Sequence, residues 1–288
     1  MFTSVDMKAW LRTVLMLGRL SSLPTIWSNC LAGWWLSGGG LIENFLVLGM
    51  GASCLYVGGM CLNHACDASV DAIHRPERPI PSGMVAPQTV ILMAVGWFAV
   101  GALFLVTLGK ASAIITVLLL CFIILYYFTH NMLSFAPVFM GAYRFLIYLL
   151  GGSAAASGIS GLTIWSGFAM AAYVGGVSYL GRKDFAPMRL SKWPFVFFGV
   201  PILLAWVVNG SGYRWQALLM TALLSGWMGW CLRYALWAAR RNVRHTVTGL
   251  LAGIILVDWM AVGFSAVGVV FLLWFVAVLA FQRADPAI

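Results

Sequence analysis

The stretch Asn63-His64-Ala65-Cys66-Asp67-Ala68-Ser69-Val70-Asp71-Ala72-Ile73-His74-Arg75-Pro76-Glu77-Arg78-Pro79-Ile80-Pro81-Ser82-Gly83 decides how the rest of the chain is read. Asn63, Asp67 and Asp71 recur every four residues, so on a helix they share one face. Two carboxylates on adjacent turns repel, and something positive should relieve them. Oxygen donors of this kind suit Mg²⁺, which takes one or two protein carboxylates and fills its other positions with water and phosphate. Arg75 and Arg78 follow at once, and guanidinium groups match phosphate oxygens in pairs. Pro76, Pro79 and Pro81 then end the helix and stiffen the exit. An ordinary solvated helix end is the competing reading.

That reading weakens because acids are scarce elsewhere. The 288 residues are 62% hydrophobic and only 9% charged, with eight acids in all: Asp6, Glu43, Asp67, Asp71, Glu77, Asp184, Asp258 and Asp285. A disordered chain needs the opposite balance, and a soluble globule carries roughly 25% charged residues. A polytopic membrane protein remains. The formal net charge of +9 is read as helix-end anchoring rather than as a nucleic-acid surface, so no nucleic-acid partner is expected. The six cysteines form no CxxC pair and carry no expected metal or redox role. The N-terminal segment, broken by Arg19, Ser21, Ser22 and Pro24, reads as leading into a retained first span rather than a cleaved leader.

Apolar runs at about 20–37, 43–63, 88–109, 112–128, 136–156, 163–181, 193–209 and 215–238 give eight candidate spans. The run 247–281 is too long for one simple crossing, and Gly263 and Gly268 could divide it, so nine or ten spans are expected. With a cytoplasmic N-terminus, 12 Lys and Arg fall on the cytoplasmic side and only Lys110 and Arg214 on the other. This positive-inside bias puts the loops 64–87 and 182–192 in the cytoplasm.

Tyr56-Val57-Gly58-Gly59, seven residues and Asp67 recur as Tyr173-Val174-Gly175-Gly176, seven residues and Asp184. The expected organisation is one transmembrane domain over 1–288, built from two related four-helix halves (about 14–130 and 131–246) with C-terminal span or spans at 247–281. A site is expected between the halves.

The motif N-x₃-D-x₃-D followed by R-P-x-R-P-I-P-S-G resembles the first aspartate-rich motif of the UbiA superfamily of intramembrane prenyltransferases. The resemblance is specific over 63–83, and the span pattern extends it over most of the chain. It implies an all-α, nine-helix membrane bundle that uses Mg²⁺ to join an isoprenoid diphosphate to an acceptor. It also implies that Asn63, Asp67 and Asp71 hold the metal and diphosphate, with Arg75 and Arg78 neutralising the leaving group. The family's second aspartate-rich motif is reduced here to Ser178-Tyr179-Leu180-Gly181-Arg182-Lys183-Asp184, leaving Asp184 as the one acid with Arg182 and Lys183 beside it. This reduction resembles the EboC-like branch. Tyr126-x₃-His130 stands where the family has Y-x₃-K.

Arg144 lies within the fifth span, where an arginine needs a cavity or a partner. A structural ion pair is one reading. The family has an arginine in this region, so the resemblance implies a place in the diphosphate set with His130, Arg182 and Lys183. Arg19 and Asn29 stand at positions that resemble polar pocket residues of the family, the alternatives being snorkelling for Arg19 and helix–helix hydrogen bonding for Asn29. With Tyr126 and Tyr179 they are the candidate pocket residues. Asp258 lies in the last apolar run. It is expected either at an interface or paired with a buried base, outside the metal site. The functional expectation is Mg²⁺-dependent prenyl transfer from a prenyl diphosphate to a small-molecule or lipid acceptor in the membrane. The alternatives are a non-catalytic lipid-phosphate or cofactor carrier or scaffold, and phosphosugar transfer to a polyprenyl phosphate.

Overall fold

The structure is a computed structural model that describes residues 13, 17–18, 20–129, 136–182, 195–208, 211–236 and 242–284. Among these there are eleven α-helices and no strands: α1 (Leu23–Leu36), α2 (Ile42–Cys66), α3 (Ala68–His74), α4 (Pro87–Val106), α5 (Lys110–Thr129), α6 (Ala136–Ser153), α7 (Gly161–Arg182), α8 (Val196–Val208), α9 (Arg214–Leu236), α10 (Val243–Val262) and α11 (Gly268–Ala284). Helices α2, α4, α5 and α10 are long and apolar enough to cross a membrane, and α8 and α11 are shorter apolar helices.

Two features bring the nine or ten expected spans to eleven helices among the described residues. The short α3 continues the acidic motif beyond α2. The run 247–281 divides at Gly263, which ends α10 at φ 75°. That left-handed backbone suits glycine, and a Cβ there would meet Gln216 Oε1 at 2.7 Å. Gln216 instead accepts a hydrogen bond from the Phe264 backbone at 3.0 Å. The opposite end of α10 is capped by Asn242, whose side chain accepts from the His245 backbone at 2.9 Å.

The helices pack as a ring. Helix α2 contacts α1 and α4; α5 contacts α4 and α6; α6 contacts α1 and α7; α7 contacts α8 and α10; and α10 returns to α1. Burial separates an inner from an outer set. The most apolar windows of α2 and α10 are 61% and 56% buried, against 22% and 33% for α4 and α5. The outer helices carry bare Leu92, Leu103, Ile114 and Val117, as a surface facing lipid requires. Close approach of α1 to α6 rests on missing side chains: a Cβ on Gly33 would lie 2.3 Å from the Tyr148 carbonyl oxygen, and one on Gly151 2.7 Å from that of Cys30.

Candidate active site

Inside the ring lies a cavity of about 260 Å³, walled by α2, α5, α6, α7 and α10. Its lining is apolar except for Ser22, Tyr56, Tyr126, Tyr127, Tyr143, Arg144 and Ser178. On α2, Tyr56, Gly59 and Met60 line it. Asn63 follows at the next turn of the same face, about 5 Å further along the axis.

The helical bonding then runs through the acidic motif. The backbone N–H of Asp67 donates to the Asn63 carbonyl at 2.9 Å, that of Asp71 to Asp67 at 2.8 Å, and that of Arg75 to Asp71 at 2.7 Å. The α2–α3 boundary at Asp67 is therefore a slight irregularity within one helical path. It stacks Asn63, Asp67 and Asp71 as a stripe continuing the cavity wall. The Asn63 amide nitrogen donates to Asp67 Oδ2 at 3.0 Å, which leaves Asn63 Oδ1 as an acceptor.

The basic exit folds back on this stripe. Arg78 Nη1 lies 2.5 Å from Asp71 Oδ2, and both side chains are largely buried. Turn bonds from Arg78 N to Arg75 O (3.1 Å) and from Ser82 N to Arg78 O (2.9 Å) hold the loop there. Gly83, at φ 78°, completes the reversal before Pro87 opens α4. Arg75 is partly buried beside the stripe.

Two carboxylates and an amide oxygen on one face form a hard-oxygen donor set. Among the described residues no group of three or more His, Cys, Asp or Glu side chains is placed to hold a metal. Two carboxylates are the number of protein ligands that Mg²⁺ commonly takes when water and phosphate supply the rest.

A second polar group sits deeper. Arg144 is 8% exposed and lines the cavity, while Asn29 and Asp258 are 0% exposed. Arg144 Nη1 donates to Asn29 Oδ1 at 2.6 Å and to the Thr25 carbonyl at 3.0 Å, and Nη2 donates to Thr25 Oγ1 at 3.0 Å. Asn29 Nδ2 donates to Asp258 Oδ2 at 2.8 Å. The Tyr148 hydroxyl donates to the other carboxylate oxygen. Asp258 lies one turn before the end of α10, and among the described residues no base contacts it directly. It is fully enclosed, and one amide separates it from the guanidinium of Arg144.

Of the remaining expected site residues, Tyr126 lines the cavity. Asn29 lies behind the cavity wall rather than on it. Tyr179 lines a separate apolar groove of about 700 Å³ between α6, α7 and α8. Arg182 is the last residue of α7. Arg19, His130, Lys183 and Asp184 lie outside the described residues.

The sequence reading did not single out Thr25, Tyr143 or Tyr148. The signal was present: Thr25 precedes Asn29 by four residues and Tyr148 follows Arg144 by four, so each pair shares a helical face. Tyr143 lines the cavity, and its buried hydroxyl has no hydrogen-bond partner among the described residues.

Known proteins resemble this arrangement at two levels. Digeranylgeranylglyceryl phosphate synthase of Methanopyrus kandleri is 50% identical over 50 residues, covering 17% of this chain and 18% of that protein. The Thermococcus gammatolerans protein of the same name is 30% identical over 123 residues, covering 43% and 38%. The chain therefore spans well under half the length of these curated relatives. Among solved structures, a UbiA homologue from Archaeoglobus fulgidus bound to GPP and Mg²⁺ superposes with a TM-score of 0.69 at 11% identity, over 93% of this chain and 99% of that one. The apo UbiA homologue from Aeropyrum pernix K1 gives 0.64 at 16% identity, over 86% and 96%. At such identities these two matches speak for the fold. The UbiA prenyltransferase family model matches residues 23–186, which run from the start of α1 through the reduced second motif. The chain is an integral membrane protein and belongs to the UbiA prenyltransferase family.

Proposed function

We propose that the protein transfers an isoprenoid group from an allylic prenyl diphosphate to an acceptor inside the membrane. The observation that carries this reading is the continuous face of α2 and α3. It leads from an apolar, tyrosine-lined cavity at Tyr56 and Met60 to the oxygen donors Asn63, Asp67 and Asp71. An amphiphile with an apolar tail and a diphosphate head matches that sequence of surfaces.

Asn63, Asp67 and Asp71 would hold Mg²⁺, with Asp184 contributing from the second half. Bound there, the ion supplies positive charge against the diphosphate. Arg78 is held at the stripe and Arg75 follows it, so both can donate to phosphate oxygens. Arg182, Lys183 and His130 are assigned to the same head group. As the allylic C–O bond breaks, its electron pair leaves with the diphosphate. The acceptor nucleophile bonds to the same carbon and then loses its proton. The apolar wall excludes water from the cation-like carbon, and the tyrosine faces offer it their negative quadrupoles. Arg144, and Tyr143 with its unused hydroxyl, are polar groups of the cavity lining that can orient the acceptor or the head group.

The cytoplasmic face is assigned to the motif loops, so the diphosphate enters from the cytoplasm and its tail from the surrounding lipid. The relatives' name makes a prenylated glyceryl phosphate the first acceptor to try, ahead of aromatic acceptors. The single acid of the second motif supports a place in the EboC-like branch, which it resembles.

The test incubates purified protein with labelled allylic diphosphates of several lengths, Mg²⁺ and an acceptor panel. The expected result is diphosphate release coupled to a prenylated product. Tight binding of the diphosphate without turnover across the panel would favour a carrier, and consumption of sugar diphosphates instead would favour phosphosugar transfer.

A further inference from the structure

Arg144 has five N–H donors and spends three on Thr25 and Asn29. Its Nε–H and one Nη2–H have no protein acceptor among the described residues, and the residue lines the cavity. Two of the three bonds go to Thr25, and the third and shortest goes to an asparagine, a side chain that can present either end. A guanidinium accepts nothing, so it requires Asn29 to present oxygen. An ionised carboxylate donates nothing, so Asp258 requires the same amide to present nitrogen. The two demands agree only when Arg144 and Asp258 lie on opposite ends of Asn29, as they do here. Tyr148, four residues beyond Arg144 on α6, occupies the second oxygen of Asp258. Three helices that wall or back the cavity are thereby joined: α1 through Asn29, α6 through Arg144 and Tyr148, and α10 through Asp258.

We infer that Asp258 is a positioning residue for Arg144: acting through Asn29, it fixes the guanidinium so that its two unspent N–H groups face an anionic oxygen of a bound substrate. The oxygen belongs to the allylic diphosphate or to an anionic acceptor. Both present the same chemistry, and the experiment separates them. The inference rests on the functional reading above.

The experiment uses the full-length protein in lipid nanodiscs. Affinity for geranyl S-thiolodiphosphate with Mg²⁺ reads the diphosphate without turnover. The KM for a geranylgeranylglyceryl phosphate acceptor reads the other source. Asp258→Asn should raise one of these two constants about tenfold, the loss typical of removing an outer partner that orients a ligating side chain. The kcat per folded molecule should fall less. The double variant Asn29→Asp/Asp258→Asn moves the carboxylate one step, onto Arg144, and keeps every hydrogen bond complementary. It should recover the affected constant to within about threefold of wild type. Should Asp258→Asn fail to fold, Tyr148→Phe keeps the carboxylate and removes one of its donors, and should raise the same constant about threefold.

Unchanged affinity and unchanged acceptor KM, with activity falling only in proportion to folded protein, would overturn the inference. So would a double variant as impaired as the single one. A wild-type protein that binds the thiolodiphosphate but releases no diphosphate from an allylic substrate would refute prenyl transfer alone, because the affinity measurement still judges Asp258. A wild-type protein that neither binds the analogue nor saturates with acceptor would overturn both.

Discussion

Arg78 places Nη1 2.5 Å from Oδ2 of Asp71, seven residues earlier in the chain. The contact spans the turn that Pro76 and Pro79 stiffen, and it sets a guanidinium against one of the two carboxylates assigned to the metal. Without a diphosphate, the arginine and a cation compete for that oxygen. With one, the arginine has a new acceptor.

Arg78→Ala should therefore act in opposite directions on the two ligands. Mg²⁺ alone should bind more tightly to the variant, because Asp71 is released. The KM for the allylic diphosphate should rise about tenfold or more, as expected for loss of a charge-assisted contact. Calorimetry with the metal and steady-state kinetics with the diphosphate read the two effects. A parallel weakening of both would show that the arginine merely shapes the loop.

Tyr143→Phe separates stability from binding. The buried hydroxyl has no partner among the described residues, and an unsatisfied buried polar group costs about 1–3 kcal/mol. The variant should melt at a higher temperature than wild type without substrate and bind substrate more weakly. A lower melting temperature without ligand would mean that the hydroxyl is already satisfied in the protein alone.

Gly33→Ala tests the packing that brings Arg144 to Asn29. The added carbon would sit 2.3 Å from a backbone oxygen of α6, and backbone cannot rotate away as a side chain can. Overpacking of this kind costs about 1–3 kcal/mol. Thermal unfolding in detergent should show that loss, whereas Gly59→Ala should be neutral, since a Cβ there meets only Tyr127 Oη at 3.8 Å and Ile123 at 3.9 Å.

The acidic site was legible in the sequence to the extent that it depends on spacing along one helix. Asn63, Asp67 and Asp71 recur at four-residue intervals, and the backbone bonding from 63 to 75 keeps that interval intact. The Arg78–Asp71 contact was less legible, because it depends on how a proline-bounded turn closes. Asp258 was illegible in its role. Its partners Asn29 and Tyr148 are 229 and 110 residues away, and no local pattern encodes a meeting of α1, α6 and α10. The break at Gly263 was legible as a candidate because glycine interrupts an otherwise over-long apolar run. The capping by Gln216 that fixes it comes from another helix. Tyr179 illustrates the reverse difficulty: it shares α7 with the cavity residues Val177 and Ser178, but at its angular position on the helix it faces a different groove.

Orientation is open to direct labelling. Ser82→Cys, in the basic exit loop, should react with a membrane-impermeant maleimide only from the cytoplasmic side. Lys110→Cys, at the start of α5, should react only from the opposite side. Labelling of both from one side would contradict the assigned topology.

The most direct test of the central claim compares wild type with Asp67→Asn and Asp71→Asn for diphosphate release from an allylic substrate, with Mg²⁺ present and after its removal by chelation. Wild type should turn over, lose that turnover with the metal and regain it on its addition. Each variant should lose about 100-fold or more, the scale expected when a preorganised charge-stabilising group is removed. Metal-independent turnover, or full activity in both aspartate variants, would contradict that claim.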